Sequence, residues 1–129
     1  MHDVFYILDY VLELLALLGR QAKARQLTRR QLAFRLASLL LTLDRAIRAL
    51  RKEGQEQLGL DVRHARRLLA EAAKRVERMC NGEVEPAEIP ALREEVLAHM
   101  REAWHELRNA QTEIIKLALA EDDTDADVA

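Results

Sequence analysis

Three long stretches of this chain carry apolar residues at alternating three- and four-residue steps. They cover residues 32–50, 62–79 and 92–117. Apolar residues at this spacing form a seam along one side of an α-helix, and sustained seams are typical of bundles with shallow crossing angles. Short connections between the helices favour antiparallel neighbours. The sequence therefore predicts an all-α fold, an antiparallel four-helix bundle with heptad-like packing.

The first helix of this bundle is predicted for about Asp3 to Lys23, where apolar residues surround most of the helix. An apolar arc this wide normally faces more than one neighbour. For the second helix, Thr28 followed by Gln31 predicts a capping box at the start. We expect the third helix to start after Asp61, a common N-cap residue. The fourth is expected from about Ala91 to Ala120.

The composition fits one helical domain. Half of the 129 residues are apolar, 33% are charged and 4% are aromatic, a mixture that argues against a sheet protein. We expect the bundle to occupy residues 1–120. Residues 121–129 include four aspartates and have little to bury, so they are expected to form a disordered acidic tail.

The chain has the features of a protein from a reducing compartment. Cys80 is the single cysteine, which excludes an internal disulfide. The N-terminus lacks the positive flank of a signal peptide, and the apolar stretch from Val4 to Leu18 contains two acids and is too short to span a bilayer. We therefore expect a cytoplasmic protein that does not contact a membrane.

Charge is distributed very unevenly along the chain. Between Arg20 and Lys52 there are ten basic residues and one acid, whereas from Asn81 to the end there are four bases and thirteen acids. The net charge of −2 hides this asymmetry. A clustered positive surface determines what a protein attracts more directly than its net charge does.

The helical period places many of these bases on the outward side of the second and third helices. Guanidinium groups can grip phosphate through two hydrogen bonds, so such a row can follow a nucleic-acid backbone. The predicted nucleic-acid-binding residues are Arg25, Arg29, Arg30, Arg45, Arg48, Lys52, Arg63, Arg67, Lys74 and Arg78. The predicted function is a non-enzymatic small helical subunit or adaptor of a larger, nucleoprotein assembly that binds RNA or DNA. The alternatives are a scaffold module whose arginines meet an acidic protein, and a face that is merely solvated.

Four apolar residues are predicted to contact another chain. Phe34 and Leu41 fall among the bases on the side of the second helix that its seam leaves outward. Phe5 and Leu12 belong to the wide apolar arc of the first helix. We therefore expect a homo-oligomer or a subunit of a hetero-complex.

Arg93 and His99 stand in the fourth helix with five residues between them. This spacing resembles the signature of the HEPN ribonuclease family, an arginine and a histidine separated by four to six residues. The resemblance covers seven residues and implies an all-helical, dimeric ribonuclease in which both side chains act on the RNA phosphodiester. Glu94 follows the arginine, where the family usually has Asn, Asp or His.

Other chemical motifs point to no enzyme. Glu102 and His105 have the Glu-x-x-His spacing of di-iron bundles, but the first two helices offer no seam carboxylate to complete such a site. Phosphate-binding glycine loops and zinc-ligand spacings do not occur in the chain. We therefore expect no cofactor and no metal.

Overall fold

The computed structural model describes the backbone of residues 1–128 and the side chains of residues 1–121. Four α-helices make up most of this chain, and a short 3₁₀-helix lies between the last two. In chain order the elements are α1 (His2–Lys23), α2 (Arg29–Lys52), α3 (Glu56–Cys80), the 3₁₀-helix (Pro86–Glu88) and α4 (Ile89–Val128). The predicted all-α four-helix fold is confirmed.

Each helix packs against two neighbours, so the four helices form a closed ring. The interfaces are α1–α2, α2–α3, α3–α4 and α1–α4, and within the described residues the diagonal pairs make no comparable interface. Side-chain contacts give the direction of the helices. The N-terminal amine of Met1 lies 3.0 Å from Glu53, just past α2, while Gln21 near the end of α1 contacts Arg35 near the start of α2. Contacts between α1 and α4 and between α3 and α4 show the same arrangement, and a short turn joins α2 to α3, so neighbouring helices run antiparallel.

Local sequence signals set both ends of α2. The Gln31 backbone N–H donates to Thr28 Oγ1 at 3.1 Å, and the Thr28 N–H donates to Gln31 Oε1 at 2.9 Å, which is the predicted capping box. After the helix, Gly54 adopts a φ of +71°, the left-handed conformation that ends a helix in a Schellman turn. Gly82, with a φ of +69°, has the same role after α3.

Helix α3 begins earlier than the sequence predicted. The expected start after Asp61 is wrong, because the helix starts at Glu56. The turn at Gly54 is tight, and three residues separate α2 from α3. Helix α3 therefore begins directly after this turn. Leu58 then reaches the core four residues before Val62 and extends the seam backwards by one turn. Asp61 therefore lies inside the helix.

The turn between α1 and α2 holds a residue other than glycine in the left-handed region. Arg25 has a φ of +58°. Its N–H donates to the Ala22 carbonyl, and the N–H of Gln26 donates to the Gln21 carbonyl, as in the two glycine turns. An L-residue in this conformation costs roughly 1–2 kcal/mol. Such strain is retained where the surrounding structure requires it.

The predicted seams form the core. Burying one leucine or valine side chain contributes about 1.5–3 kcal/mol, so these rows account for most of the driving force for packing. The buried seam residues are Leu36, Leu39, Leu43, Ile47 and Leu50 of α2, Val62, Ala65, Leu69, Ala72, Val76 and Met79 of α3, and Val96, Met100, Ala103, Leu107, Ala110 and Ile114 of α4.

Polar side chains also cross the interface between α1 and α4. Gln111 is 1% exposed, its Nε2 donates to Asp9 Oδ1 at 3.2 Å, and its Oε1 accepts from Arg108 Nη1 at 2.8 Å. Two turns earlier in α4, Trp104 Nε1 donates to the Leu12 carbonyl at 3.2 Å. A buried amide without partners would be destabilising, so these bonds fix the register of the two helices.

Helix α4 exceeds its predicted limits at both ends. It starts at Ile89 rather than Ala91, and its backbone continues as a helix to Val128 rather than ending at Ala120. The prediction that residues 121–129 form a disordered tail is not tested, because the side chains from residue 122 onward and the whole of residue 129 lie outside the described residues. Within the described part of the chain, we find no helix with both the length and the hydropathy of a membrane span.

Candidate functional site

We call the ten predicted nucleic-acid-binding residues the basic face. All ten are exposed to solvent. Because α2 and α3 pack side by side, the two rows of side chains lie on adjacent, outward surfaces of the bundle. The members are Arg25, Arg29, Arg30, Arg45, Arg48 and Lys52 in and before α2, and Arg63, Arg67, Lys74 and Arg78 in α3.

An ion pair between α2 and α3 aligns four of these arginines. Arg66 Nε lies 2.6 Å from Asp44 Oδ1. Since the helices are antiparallel, Arg45 and Arg48 just after Asp44 come to the same level as Arg63 and Arg67 on either side of Arg66. At 1.5 Å per residue, all four lie within about 6 Å of the ion pair along the bundle axis. These four arginines form one cluster of positive charge within the basic face.

Few carboxylates neutralise the basic face. Lys74 forms one ion pair, at 3.9 Å, with Glu71 of the same helix. Within residues 1–121, the other nine members form no ion pair, and no carboxylate of α4 reaches any of the ten. The outward position that the helical period predicted for these residues is therefore what the structure has.

Two other arginines of α3 are held by the fold. Arg66 pairs with Asp44, and Arg75 donates from Nε to Glu95 of α4 at 3.0 Å and from Nη1 to Glu71 at 3.2 Å. The hydrogen bond to Glu95, with a further contribution from Glu71, raises the pKa of the Arg75 guanidinium above its ordinary value, although partial burial opposes the shift. Their charge is matched inside the bundle.

The four predicted interface residues do not share one surface. Leu12 is 5% exposed and belongs to the core, so the structure contradicts its place in an interface with another chain. Phe5 is half-buried against the core. Phe34 and Leu41, by contrast, are 74% and 68% exposed. The wide apolar arc of α1 is explained largely by its packing against both α2 and α4.

Arg93 and His99, the pair that resembles the HEPN signature, lie on different sides of α4. Six residues of helix rotate the second side chain by about 120° from the first. Arg93 points to α1, where its Nη2 donates to the carbonyls of Ala22 at 2.7 Å and Lys23 at 3.1 Å. His99 Nδ1 lies 2.7 Å from the carbonyl oxygen of Glu95 in its own helix. In a single chain the two do not form a joint site.

Glu102 and His105 are both exposed on α4. The imidazole of His105 packs edge-on against the indole of Trp104, with ring centroids 5.2 Å apart. Within the described residues, no three His, Cys, Asp or Glu side chains stand close enough together to hold a metal ion.

The sequence did not reveal a groove between α1 and α4, with a volume of about 610 Å³. We call it the α1–α4 groove. Its floor is formed by the apolar or small residues Leu15, Ala16, Gly19, Leu97, Met100 and Trp104. Its rim carries the basic residues Arg20, Lys23, Arg25, Arg93 and Arg101, together with Glu94.

The groove can be found only when it is known which residues of α1 and α4 face each other. Helical periodicity places Ala16 on the side of α1 that bears Asp9 and Glu13, but it does not show which part of α4 stands opposite. Arg25 and Arg93 also line a second cavity, of about 370 Å³, between the α1–α2 turn, α3 and α4. The strained turn at Arg25 thus lies where two cavities meet.

No protein-family model, curated protein or solved structure that was compared with this chain matches it.

Proposed function

We propose that the protein is a non-enzymatic helical subunit or adaptor that binds a nucleic-acid backbone through the basic face of α2 and α3. One observation carries the proposal. All ten predicted residues are exposed, and among the described side chains nine of them form no ion pair. Arg66 and Arg75 of α3 are instead matched by carboxylates.

The layout suits a polyanion better than a single small anion. Arg45, Arg48, Arg63 and Arg67 surround the Asp44–Arg66 pair, while Arg25, Arg29, Arg30 and Arg78 occupy the other end of the same two helices. A rigid, two-helix surface with cations at both ends can meet successive phosphates. The proposal includes membership of a larger assembly, because a small basic surface alone gives modest, salt-sensitive affinity for nucleic acid. It also includes a cytoplasmic location.

The test compares two double variants. Arg63→Gln with Arg67→Gln removes two outward charges of the basic face, and Arg75→Gln with Lys116→Gln removes two cations that are matched by Glu95 and Glu113 away from the Asp44–Arg66 pair. Both change the net charge by the same amount. Fluorescence anisotropy with labelled single-stranded RNA and duplex DNA of mixed sequence, repeated over a salt series, measures the affinity of each.

We expect the outward variant to flatten the slope of log affinity against log salt by about 1.4 on single strands, because each lost phosphate contact removes about 0.7. The matched variant should change the slope by less than half as much. Equal losses in the two variants would mean that net charge alone attracts the nucleic acid. That result, or wild-type protein that fails to bind at about 50 mM salt, where such contacts are strong, would refute the proposal.

A second candidate is favoured by the exposure of Phe34 and Leu41. The two side chains project two turns apart from α2, among the arginines, and large apolar side chains in such a position are typical of protein contacts. In this reading the arginines meet an acidic protein, and the chain associates with a partner or with itself.

The interface candidate is tested by light scattering of the wild type and of Phe34→Ser with Leu41→Ser. We expect the wild type to self-associate at micromolar concentration and the double variant to be monomeric. Tyr10→Ser, which changes an exposed aromatic residue of α1, is the matched control and should leave the mass unchanged. A wild-type mass of 14.8 kDa at every concentration would exclude self-association.

A further inference from the structure

From the α1–α4 groove we infer that the protein has a second binding site, for an amphipathic anion that carries an acyl chain. The floor of the groove would hold the chain, and the basic rim would hold a carboxylate or phosphate head group. This site lies between α1 and α4 and shares only Arg25 with the basic face, so it stands whether or not the protein binds nucleic acid.

The groove exists because α1 has little side-chain volume on this side. Ala16 and Gly19 face Leu97, Met100 and Trp104 of α4. A Cβ atom added at Gly19 would meet no heavy atom within 4 Å. Glycine in a helix interior is unfavourable by about 1 kcal/mol relative to alanine, and here it leaves space that no other described part of the chain fills.

The far end of the groove has a fixed wall. The hydrogen bond from Trp104 Nε1 to the Leu12 carbonyl, 3.2 Å long, holds the indole in place. The groove follows α1 from Leu15 to Lys23, a length of about 12 Å along the helix. Its volume of about 610 Å³ lies within the range typical of small-molecule sites, and its elongated apolar floor suits an extended chain.

The rim supplies the opposite chemistry. Five cations and one carboxylate give it a net charge of +4. Within residues 1–121, none of the five cations forms an ion pair; Arg93 donates to the neutral carbonyls of Ala22 and Lys23. The negative end of the α1 dipole is equivalent to about half a charge, so it leaves most of the rim charge unmatched.

The positions of the cations give the ligand a direction. Arg20, Lys23, Arg25 and Arg93 gather where α1 ends and α4 begins, whereas the indole of Trp104 lies further along α4. The head group therefore belongs beside Arg25 and Arg93, with the chain extending towards Trp104. A rim of guanidinium groups selects an anionic head over a hydroxyl group, because hydrogen bonds to charged groups are the stronger ones.

Trp104 is the single tryptophan, and its fluorescence provides the test. We would titrate the full-length protein with a fatty carboxylate brominated at its terminal carbon, since bromine quenches indole emission on contact. A long-chain alkyl phosphate would compete in the same assay, and the matching alcohol would be the neutral control. We expect saturable quenching, competition by the phosphate, and at least about tenfold weaker competition by the alcohol.

Two variants test the floor and the rim. Gly19→Leu should fill the groove and abolish quenching, while Gly59→Leu, an equivalent change at an open helical position of α3, should retain it. Arg20→Gln with Lys23→Gln should weaken binding by about tenfold, and Arg45→Gln with Arg48→Gln should not. Circular dichroism checks that each variant is folded, and the exposed positions of Arg20 and Lys23 make the rim variant independent of packing.

The inference fails if the wild type shows no saturable quenching, if the alcohol competes as well as the phosphate, or if Gly19→Leu is quenched like the wild type. Anionic phospholipid vesicles form a separate arm. Vesicle binding that is unaffected by Gly19→Leu, without quenching by the free carboxylate, would assign the rim to a membrane surface and would also overturn the site.

Discussion

Arginines at the edges of the seams and arginines on the outward faces of the same helices have different surroundings. Arg66 and Arg75 lie against neighbouring helices, and carboxylates of α2, α3 and α4 match their charges. Arg63 and Arg67, a few residues away in α3, point to solvent and form no ion pair within the described residues. The difference teaches that the angular position on the helix, rather than residue type, separates cations that hold the fold from cations available to a partner.

The apolar residues show the same division. Leu12 and Leu41 were both predicted to lie in an interface with another chain, yet one is in the core and the other is largely exposed. Leu12→Ala should lower the free energy of unfolding by about 3 kcal/mol, because it removes buried methyl groups and leaves a cavity. Leu41→Ala should change it by less than about 0.5 kcal/mol. Urea denaturation of both variants measures the difference, and similar losses would contradict the division.

Arg93 joins the start of α4 to the end of α1. Its bonds to the carbonyls of Ala22 and Lys23 satisfy the end of α1. We expect Arg93→Ala to lower the free energy of unfolding by about 2 kcal/mol, since two acceptors lose a charged donor. The control is Arg101→Ala, an exposed arginine two turns further along α4. Equal free energies of unfolding for the two variants would show that the hydrogen bonds from Arg93 to the end of α1 do not stabilise the fold.

The ion pairs of Arg75 are expected to contribute less to the free energy of unfolding, because Glu71 and Glu95 are partly exposed to solvent. Arg75→Gln should lower the free energy of unfolding by about 0.5–1 kcal/mol. A double-mutant cycle with Glu95→Gln isolates the ion pair, and thermal unfolding at low and high salt provides the measurement. A coupling energy that does not decrease at high salt would rule out an electrostatic contribution of this size.

The smallest stability change is expected for the outward cations. Arg63→Gln with Arg67→Gln should leave the free energy of unfolding within about 0.5 kcal/mol of wild type, although the same variant is expected to lose nucleic-acid affinity. Unchanged stability together with lower nucleic-acid affinity would show that these arginines contribute to binding and not to folding. A large loss of stability would show instead that these arginines serve the bundle.

The fold was largely predictable because each seam is a local, repeated signal. The capping box at Thr28 and the glycine turn at Gly82 could be predicted for the same reason. The start of α3 was missed because Asp61 has the residue type of an N-cap, whereas the deciding feature was the buried position of Leu58, one turn earlier. Extending the apolar seam of α3 from Val62 back to Leu58 would have predicted this earlier start.

The candidate sites were predictable only where one helix determines them. The outward position of the basic face follows from helical periodicity alone. The α1–α4 groove does not, because it depends on which residues of two distant helices stand opposite each other. The same holds for Arg93, whose acceptors lie in the turn of α1 about seventy residues earlier in the chain.

The closed ring of helices has a consequence for the order in which the molecule assembles. Three of its four interfaces join helices that are consecutive in the chain, and the fourth brings α1 back to α4. Closing this last interface confines the longest stretch of chain and therefore carries the largest loop entropy. We expect amide hydrogen exchange to show α1 less protected than α3, and a ligand seated between the first and last helices would slow that exchange by holding α1 against α4.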